Sequence, residues 1–104
     1  MEKKSQGLTW TLTTPAKPGV AQVILRLRDE GGKPVQGRIV TGEVWMPGMP
    51  MDGYPLELRF EEARDGQYLA LVQYGHGGRW QIRAAFRTDE GRDLRQAFDF
   101  DIGH

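Results

Sequence analysis

Alternation of apolar and polar residues over short stretches is the feature that most restricts how this chain can fold. From Trp80 to Arg87, the larger apolar side chains occupy every second position. A period of two residues is typical of a β-strand with one buried face, and no stretch has the period of an amphipathic helix. Turns containing glycine separate the alternating stretches, as expected for many short strands. The chain is therefore predicted to be all-β.

Seven alternating stretches follow one another along the 104 residues. Their regular spacing favours a seven-stranded antiparallel immunoglobulin-like β-sandwich, with a small β-barrel as the alternative. The predicted strands cover residues 8–13, 20–28, 38–46, 56–61, 68–74, 80–87 and 94–102. The side chains predicted to fill the core are Trp10, Leu25, Leu27, Leu58, Tyr68, Ala70, Trp80, Ile82, Phe98 and Phe100.

Two positions favour the immunoglobulin-like arrangement over the barrel. Trp45 lies near the end of the third predicted strand, where such domains bury a tryptophan. The run from Asp65 to Tyr68 resembles the tyrosine corner of those folds. We therefore expect Gly66 to hold a turn conformation and the Tyr68 hydroxyl to form a hydrogen bond across this corner.

Composition limits both the domain organisation and the function. Residues 1–6 are polar and predicted to be disordered, and residues 7–104 are predicted to form a single domain. Fourteen basic and fourteen acidic side chains give a net charge of zero, which argues against a nucleic-acid-binding protein. The absence of cysteine excludes disulfides, thiolate zinc sites and thiol catalysis.

No part of the sequence has the pattern of a membrane or export segment. No apolar run approaches the ~20 residues of a membrane span, and no secretory hydrophobic region is present. The polar start is compatible with a cytoplasmic N-terminus and equally with the trimmed end of an exported protein.

Methionine is concentrated in one short run, Met46 to Met51, with the sequence MPGMPM. It contains every methionine except Met1, and its prolines and glycine argue against a helix or a central strand. The thioethers of Met46, Met49 and Met51 are candidate ligands for Cu(I), a soft cation. Packing at the end of the sandwich is an equally weighted alternative. Contact with a protein partner is a third.

The two histidines are the remaining candidate ligands. His76 lies in a glycine-rich loop, where a solvated side chain is the simpler expectation, and His104 is the last residue. Regular strand lengths would place the His76 loop and the methionine run at opposite ends of the sandwich. His76 is therefore a weaker candidate than the methionines.

Several motifs together resemble a known family of bacterial domains. They are the turn from Arg28 to Gly37, the run from Met46 to Met51, the Gly66-Gln67-Tyr68 turn and the strand start from Gly78 to Ile82. Over about residues 20–88 the chain is similar to the YtkA-like domain, and related FixH-like proteins have a similar plan. Relatives often carry a histidine where this sequence has Met51, which shifts the expected ligands toward thioethers.

The resemblance implies an extracytoplasmic, often membrane-tethered domain associated with copper handling or cytochrome oxidase assembly. The expected cofactor is Cu(I), held through Met46, Met49, Met51 and His76, and the expected partner is a copper-receiving or oxidase-assembly protein. The domain is expected to be a monomer that contacts a membrane only through an anchor outside this chain. The alternative function is a structural or protein-interaction module without metal.

An enzymatic function has little support in the sequence. The two isolated histidines do not combine with a serine and an acid into a catalytic triad, and the acids fall in turns or on exposed strand faces. No glycine-rich loop opens a helix, so a phosphate-binding cradle is not expected. We therefore expect a protein that is not an enzyme.

Overall fold

The computed structural model describes residues 1–48 and 55–103, which fold into two antiparallel β-sheets. These residues contain nine strands and no helix. The strands are β1 (Glu2–Ser5), β2 (Leu8–Thr13), β3 (Gly19–Asp29), β4 (Gly37–Trp45), β5 (Leu56–Glu57), β6 (Glu61–Arg64), β7 (Gln67–Tyr74), β8 (Gly78–Thr88) and β9 (Asp93–Ile102).

The first sheet has the order β1-β2-β3-β7-β6 and the second has the order β5-β4-β8-β9. Every described pair of neighbouring strands is antiparallel. The predicted all-β class with two antiparallel sheets is confirmed. The predicted count of seven strands is wrong for two reasons. The predicted strand over residues 56–61 divides into β5 and β6, which belong to different sheets, and β1 is an additional strand.

The prediction that residues 1–6 are disordered is wrong for Glu2–Ser5, which form β1 at the edge of the first sheet. The Lys3 ammonium donates a hydrogen bond of 2.6 Å to the carbonyl of Ala97 in β9. Main-chain pairing with β2 requires no apolar side chains, because every residue except proline carries a backbone donor and acceptor. A polar strand of this kind leaves no hydrophobic pattern in the sequence.

The core lies between the two sheets and is rich in aromatic side chains. Tyr74 of the first sheet contacts Trp80 and Phe100 of the second, with ring centroids 5.2 and 5.9 Å apart. Both pairs are close to the edge-to-face geometry that aromatic rings favour. All ten side chains predicted to fill the core are buried, so that prediction is confirmed.

Trp45 does not take the place of the buried tryptophan of immunoglobulin-like domains. Val44 and Met46 are buried, and Trp45 between them is half-buried on the outer face of the second sheet. There its ring lies against Arg83, and its Nε1 donates a hydrogen bond of 2.7 Å to Gln81. Because side chains alternate between the faces of a strand, burying Val44 and Met46 forces Trp45 outward.

Tyr68 connects the two sheets. Gly66 has a φ of +71°, which confirms the predicted turn conformation at that position. The Tyr68 hydroxyl donates a hydrogen bond of 3.2 Å to the carbonyl of Gly37, at the start of β4 in the other sheet. The prediction of a local tyrosine corner is therefore wrong in its partner, which lies 31 residues away. Gly37 is required here because a Cβ would lie only 2.5 Å from the Phe86 ring.

We predict that Tyr68→Phe lowers the free energy of unfolding by roughly 0.5–1.5 kcal/mol, the usual net value of one hydrogen bond. Burial, followed by the charges of Glu62, Asp89 and Asp65, raises the pKa of Tyr68 to about 12. An unfolded tyrosine ionises near pH ~10. Stability from the neutral hydroxyl is therefore complete below that pH and is lost as the pH rises toward 12.

Urea denaturation of both proteins at neutral pH and at increasing alkaline pH measures these effects. The phenylalanine variant should lose less stability in the alkaline range than the wild type. Equal unfolding midpoints at neutral pH would contradict a contribution from the bond to Gly37.

Candidate functional site

Met46 follows directly after β4 and is buried, with only 2% of its surface exposed. Its methyl carbon would lie 2.8 Å from a Cβ placed on Gly78. Met46 therefore packs against the first residue of β8. For this methionine the structure shows the packing role that the sequence left open as the alternative to metal binding.

His76 lies at the same end of the sandwich as Met46, which contradicts the predicted placement at opposite ends. β4 and β8 are antiparallel neighbours, with Trp45 opposite Gln81. The segment that leaves β4 and the loop that enters β8 must therefore lie side by side. The imidazole of His76 is exposed, and its backbone carbonyl accepts a hydrogen bond of 3.1 Å from Trp80 Nε1.

The donor set predicted for Cu(I) is only partly within the described residues. Met49 and Met51 lie outside them. Within residues 1–48 and 55–103, no three histidine, aspartate or glutamate side chains form a group that could hold a metal ion. The described candidates are one buried thioether, Met46, and one exposed imidazole, His76. Both are donor types that suit Cu(I), but together they do not form a complete site.

The outer face of the second sheet carries charged side chains that are mostly paired with one another. Arg83 lies over the Trp45 ring and forms an ion pair of 3.0 Å with Glu43. Arg87 forms an ion pair of 2.7 Å with Asp93. A hydrogen bond from that guanidinium is the main reason why the pKa of Asp93 is below its usual value.

The outer face of the first sheet carries an apolar patch formed by Val20, Ile24, Leu69 and Leu71, here called the β3–β7 patch. Ile24 lies opposite Leu69 in the β3–β7 pairing. Val20 is 74% exposed and Leu71 is 71% exposed, the highest values among the large hydrophobic side chains of the described residues. Ile24 and Leu69 lie where β2 and β6 flank β3 and β7, whereas Val20 and Leu71 lie beyond the residues paired with those two strands.

Four cations border the β3–β7 patch on the same outer face, and we call them the basic band. Arg26 follows Ile24 at the next outward position of β3, and Arg28 follows Arg26. The strand pairing places Lys4 of β1 level with Arg28 of β3, with Thr9 of β2 between them. It likewise places Arg64 of β6 level with Arg26 of β3, with Gln67 of β7 between them. No ion pair within 4 Å involves these four cations in the part of the chain that the structure describes.

The β3–β7 patch was not identified as a site from the sequence, although a signal was present. Leu69 and Leu71 fall on the face of β7 opposite to Tyr68, Ala70 and Val72, so this strand is apolar on both faces. A strand in a two-layer sandwich needs only one apolar face. Apolar residues on both faces of one strand therefore indicate a surface available for contact.

No helix within residues 1–48 and 55–103 is long and apolar enough to cross a membrane.

Two antiparallel sheets that enclose one aromatic core, with an apolar patch on an outer face, place the molecule among all-β sandwich domains. A model of the YtkA-like family matches residues 2–85, and the chain belongs to that family. This confirms the resemblance that the sequence motifs indicated.

Solved structures support the fold. The chain is similar to a DUF4426 family protein from Pseudomonas aeruginosa PAO1, with a TM-score of 0.75 and 14% sequence identity over 98% of this chain and 96% of that one. It is similar to a lesser degree to a conjugative transposon lipoprotein from Bacteroides eggerthii, with a TM-score of 0.44 and 15% identity over 92% and 98% of the two chains. At these identities the first similarity shows a shared fold alone, and the second carries no argument. No curated protein matches the sequence.

We predict that Gly78→Ala destabilises the protein by roughly 1–3 kcal/mol, because Gly78 has a φ of +132° and lies against Met46. When Gly78→Ala is combined with Met46→Ala, the part of this loss that comes from the steric contact should disappear. The part that comes from backbone strain at position 78 should remain. Chemical denaturation of both single variants and the double variant isolates the coupling. Gly48→Ala is the control, since a Cβ there meets nothing within 4 Å among the described residues. Strictly additive effects of Gly78→Ala and Met46→Ala would contradict the contact.

Proposed function

We propose that this chain is a non-catalytic interaction module that binds a protein partner through the β3–β7 patch. The observation that carries the proposal is the exposure of Val20 and Leu71 on the outer face of the first sheet, on the same face as the Ile24–Leu69 pair. Exposed aliphatic side chains grouped on one face of a domain commonly mark a contact site. A partner that covers the patch would remove this surface from water, which is favourable by ~25 cal/mol for each Å².

A protein fits this surface better than a lipid bilayer or a second copy of the chain. The patch lies on the face of a β-sheet, and its residues are aliphatic. Membrane-binding surfaces more often insert aromatic and aliphatic side chains from an amphipathic helix. Face-to-face pairing of two copies would leave the cations of each basic band without opposing carboxylates, because the outer faces of β2, β3 and β7 carry no acid. A monomer with a different protein as its partner is therefore favoured.

The scaffold that presents the patch is proposed to be immunoglobulin-like. Without β1, the first sheet has the order β2-β3-β7-β6, and the second has β5-β4-β8-β9. These orders correspond to the ABED sheet and to a GFC sheet extended by one edge strand. Family membership supports an extracytoplasmic location, which the resemblance implies for YtkA-like domains.

The test begins with a photo-crosslinking amino acid placed at position 71 or, as a control, at position 56 on β5 of the second sheet. Leu56 is also exposed, at 42%. In cells of the source organism, position 71 should capture a specific protein and position 56 should not. We then predict that Leu71→Ser weakens binding of that purified protein about tenfold and that Leu56→Ser leaves it unchanged.

Several outcomes would reject this function. They are the absence of a protein captured preferentially at position 71, unchanged affinity for Leu71→Ser, and concentration-dependent self-association that Leu71→Ser abolishes. Binding to phosphatidylglycerol vesicles that depends on Leu71 would assign the patch to a membrane instead.

Cu(I) binding is a second candidate, favoured by one observation. Met46 contacts Gly78, so the methionine run and the His76 loop leave the sandwich side by side. Thioethers and an imidazole from adjacent segments are a donor set suited to Cu(I), and family membership supports copper handling. In this proposal Met49, Met51 and His76 bind the ion, with Met46 as a further candidate. The partner is a copper-receiving or oxidase-assembly protein.

For this candidate we predict that the folded protein competes for one equivalent of Cu(I) under reducing conditions and prefers it to Zn(II). Met49→Leu and Met51→Leu should weaken binding, since leucine keeps the apolar volume and removes the sulfur. Affinity that changes little with pH would indicate thioethers, whereas a change near pH ~6.5 that His76→Ala removes would indicate the imidazole. Wild-type protein that fails to compete, or leucine variants that bind equally well, would exclude this candidate.

A further inference from the structure

The outward side chains of β3 change character along the strand. Val20, Gln22 and Ile24 lie beside the leucines of β7, and Arg26 and Arg28 continue the same row. Successive outward residues of a strand are about 6.6 Å apart. The β3–β7 patch and the basic band are therefore two halves of one continuous surface.

The basic band is unlike the charged surface on the opposite side of the molecule. Three of the four ion pairs in the described residues, those of Arg79, Arg83 and Arg87, lie on the second sheet. The fourth joins Glu57 and Arg59, at and just after β5. On the first sheet, neutral Thr9, Thr11 and Gln67 separate the cations, and the outer faces of β2, β3 and β7 carry no acid. The acids nearest to this surface are Glu2 in β1, Glu61 in β6, Glu30 in a depression that Lys4 also lines, and Glu57 in a depression that Leu69 and Leu71 also line.

We infer that the partner presents acidic residues beside apolar ones, with its carboxylates over the basic band and its apolar side chains over the β3–β7 patch. This inference rests on the proposed interaction function and adds the chemistry of the partner. The four cations have no ion-pair partner among the described residues, so they are available to form ion pairs with carboxylates of a partner. Charge complementarity of this kind raises the association rate and fixes the orientation of the complex.

The spacing of the cations suits an extended acidic segment. Arg26 and Arg28 are two residues apart on one strand, the same separation as alternate carboxylates in an extended peptide. Lys4 and Arg64 each lie two strands away from these arginines, or about 9.6 Å. A nucleic acid would use the cations but has no apolar half to cover the patch, so a protein segment fits the whole surface better.

Synthetic peptides that carry the inferred chemistry can take the place of the natural partner in a binding test. The main probe is an extended peptide with leucine at alternate positions of one half and glutamate at alternate positions of the other. Two further peptides replace the glutamates by glutamine or by lysine. Binding is followed by the backbone amide NMR signals of β3 and β7 at low and high salt.

The glutamate peptide should bind about tenfold more tightly than the glutamine peptide at low salt, and it should lose most of this advantage near 1 M salt, where charges are screened over ~3 Å. The lysine peptide should bind most weakly. Arg26→Gln/Arg28→Gln should weaken the glutamate peptide about three- to tenfold, as expected for two partly exposed ion pairs. Arg38→Gln/Arg95→Gln removes the same charge from exposed positions of the second sheet and should change nothing.

The outcomes separate this inference from the function on which it rests. Equal, salt-independent binding of the glutamate and glutamine peptides overturns the acidic partner and leaves an apolar contact in place. If the two double-arginine variants lose equal affinity for the glutamate peptide, the role of the basic band is overturned. If no peptide changes the backbone amide NMR signals of β3 and β7, the inference is also rejected. The interaction function itself is decided separately, by the effect of Leu71→Ser on binding of the natural partner. Preferential binding of single-stranded RNA would assign the band to nucleic acid.

Discussion

Aromatic packing between two separate sheets is the interaction on which the rest of this structure depends. Tyr74 of the first sheet lies against Trp80 and Phe100 of the second, and Tyr68 packs on Phe86 with ring centroids 5.9 Å apart. In each of these contacts the two rings come from different sheets, and no backbone pairing joins the two sheets across the core. In a domain of 104 residues, large side chains of this kind supply much of the buried apolar surface.

Antiparallel pairing of β4 with β8 determines which loops share an end of the sandwich. It places Met46 beside Gly78, and it brings the His76 loop to the end from which the methionine run departs. Within the described residues, the same contact buries the one thioether that the structure describes in this run. Metal binding and core packing are therefore no longer alternatives for the whole run, because different methionines can serve the two roles.

The two outer faces of the sandwich differ in a way that net charge conceals. Equal numbers of acids and bases sum to zero over the chain. On the second sheet, arginines of β8 pair with acids of β9 and β4. On the first sheet, Arg26 and Arg28 continue the row that begins with Val20 and have no ion-pair partner among the described residues. A neutral chain thus presents one face on which three arginines of β8 are paired with acids, and one face with exposed apolar side chains beside arginines that have no ion-pair partner among the described residues.

Part of this protein could be predicted from local pattern alone. Alternation at Trp80, Ile82 and Phe98 determined the strands and the buried face, because side-chain direction in a strand has a period of two whatever the partner strand is. The glycine at position 66 marked its turn for the same local reason, since its φ of +71° disfavours other residues. Each motif that supported the resemblance to the YtkA-like family is likewise one continuous stretch of sequence.

Only the tertiary structure decided which strands are neighbours, and the candidate sites follow from that choice. The bond from Tyr68 to Gly37, the contact of Met46 with Gly78 and the pairing of Ile24 with Leu69 all join residues of different strands. Alternation shows which way a side chain points but carries no information on the strand beside it. The sequence therefore determined most of the strands and their inner faces, and the pairing of the strands determined which outward side chains lie together on the surface.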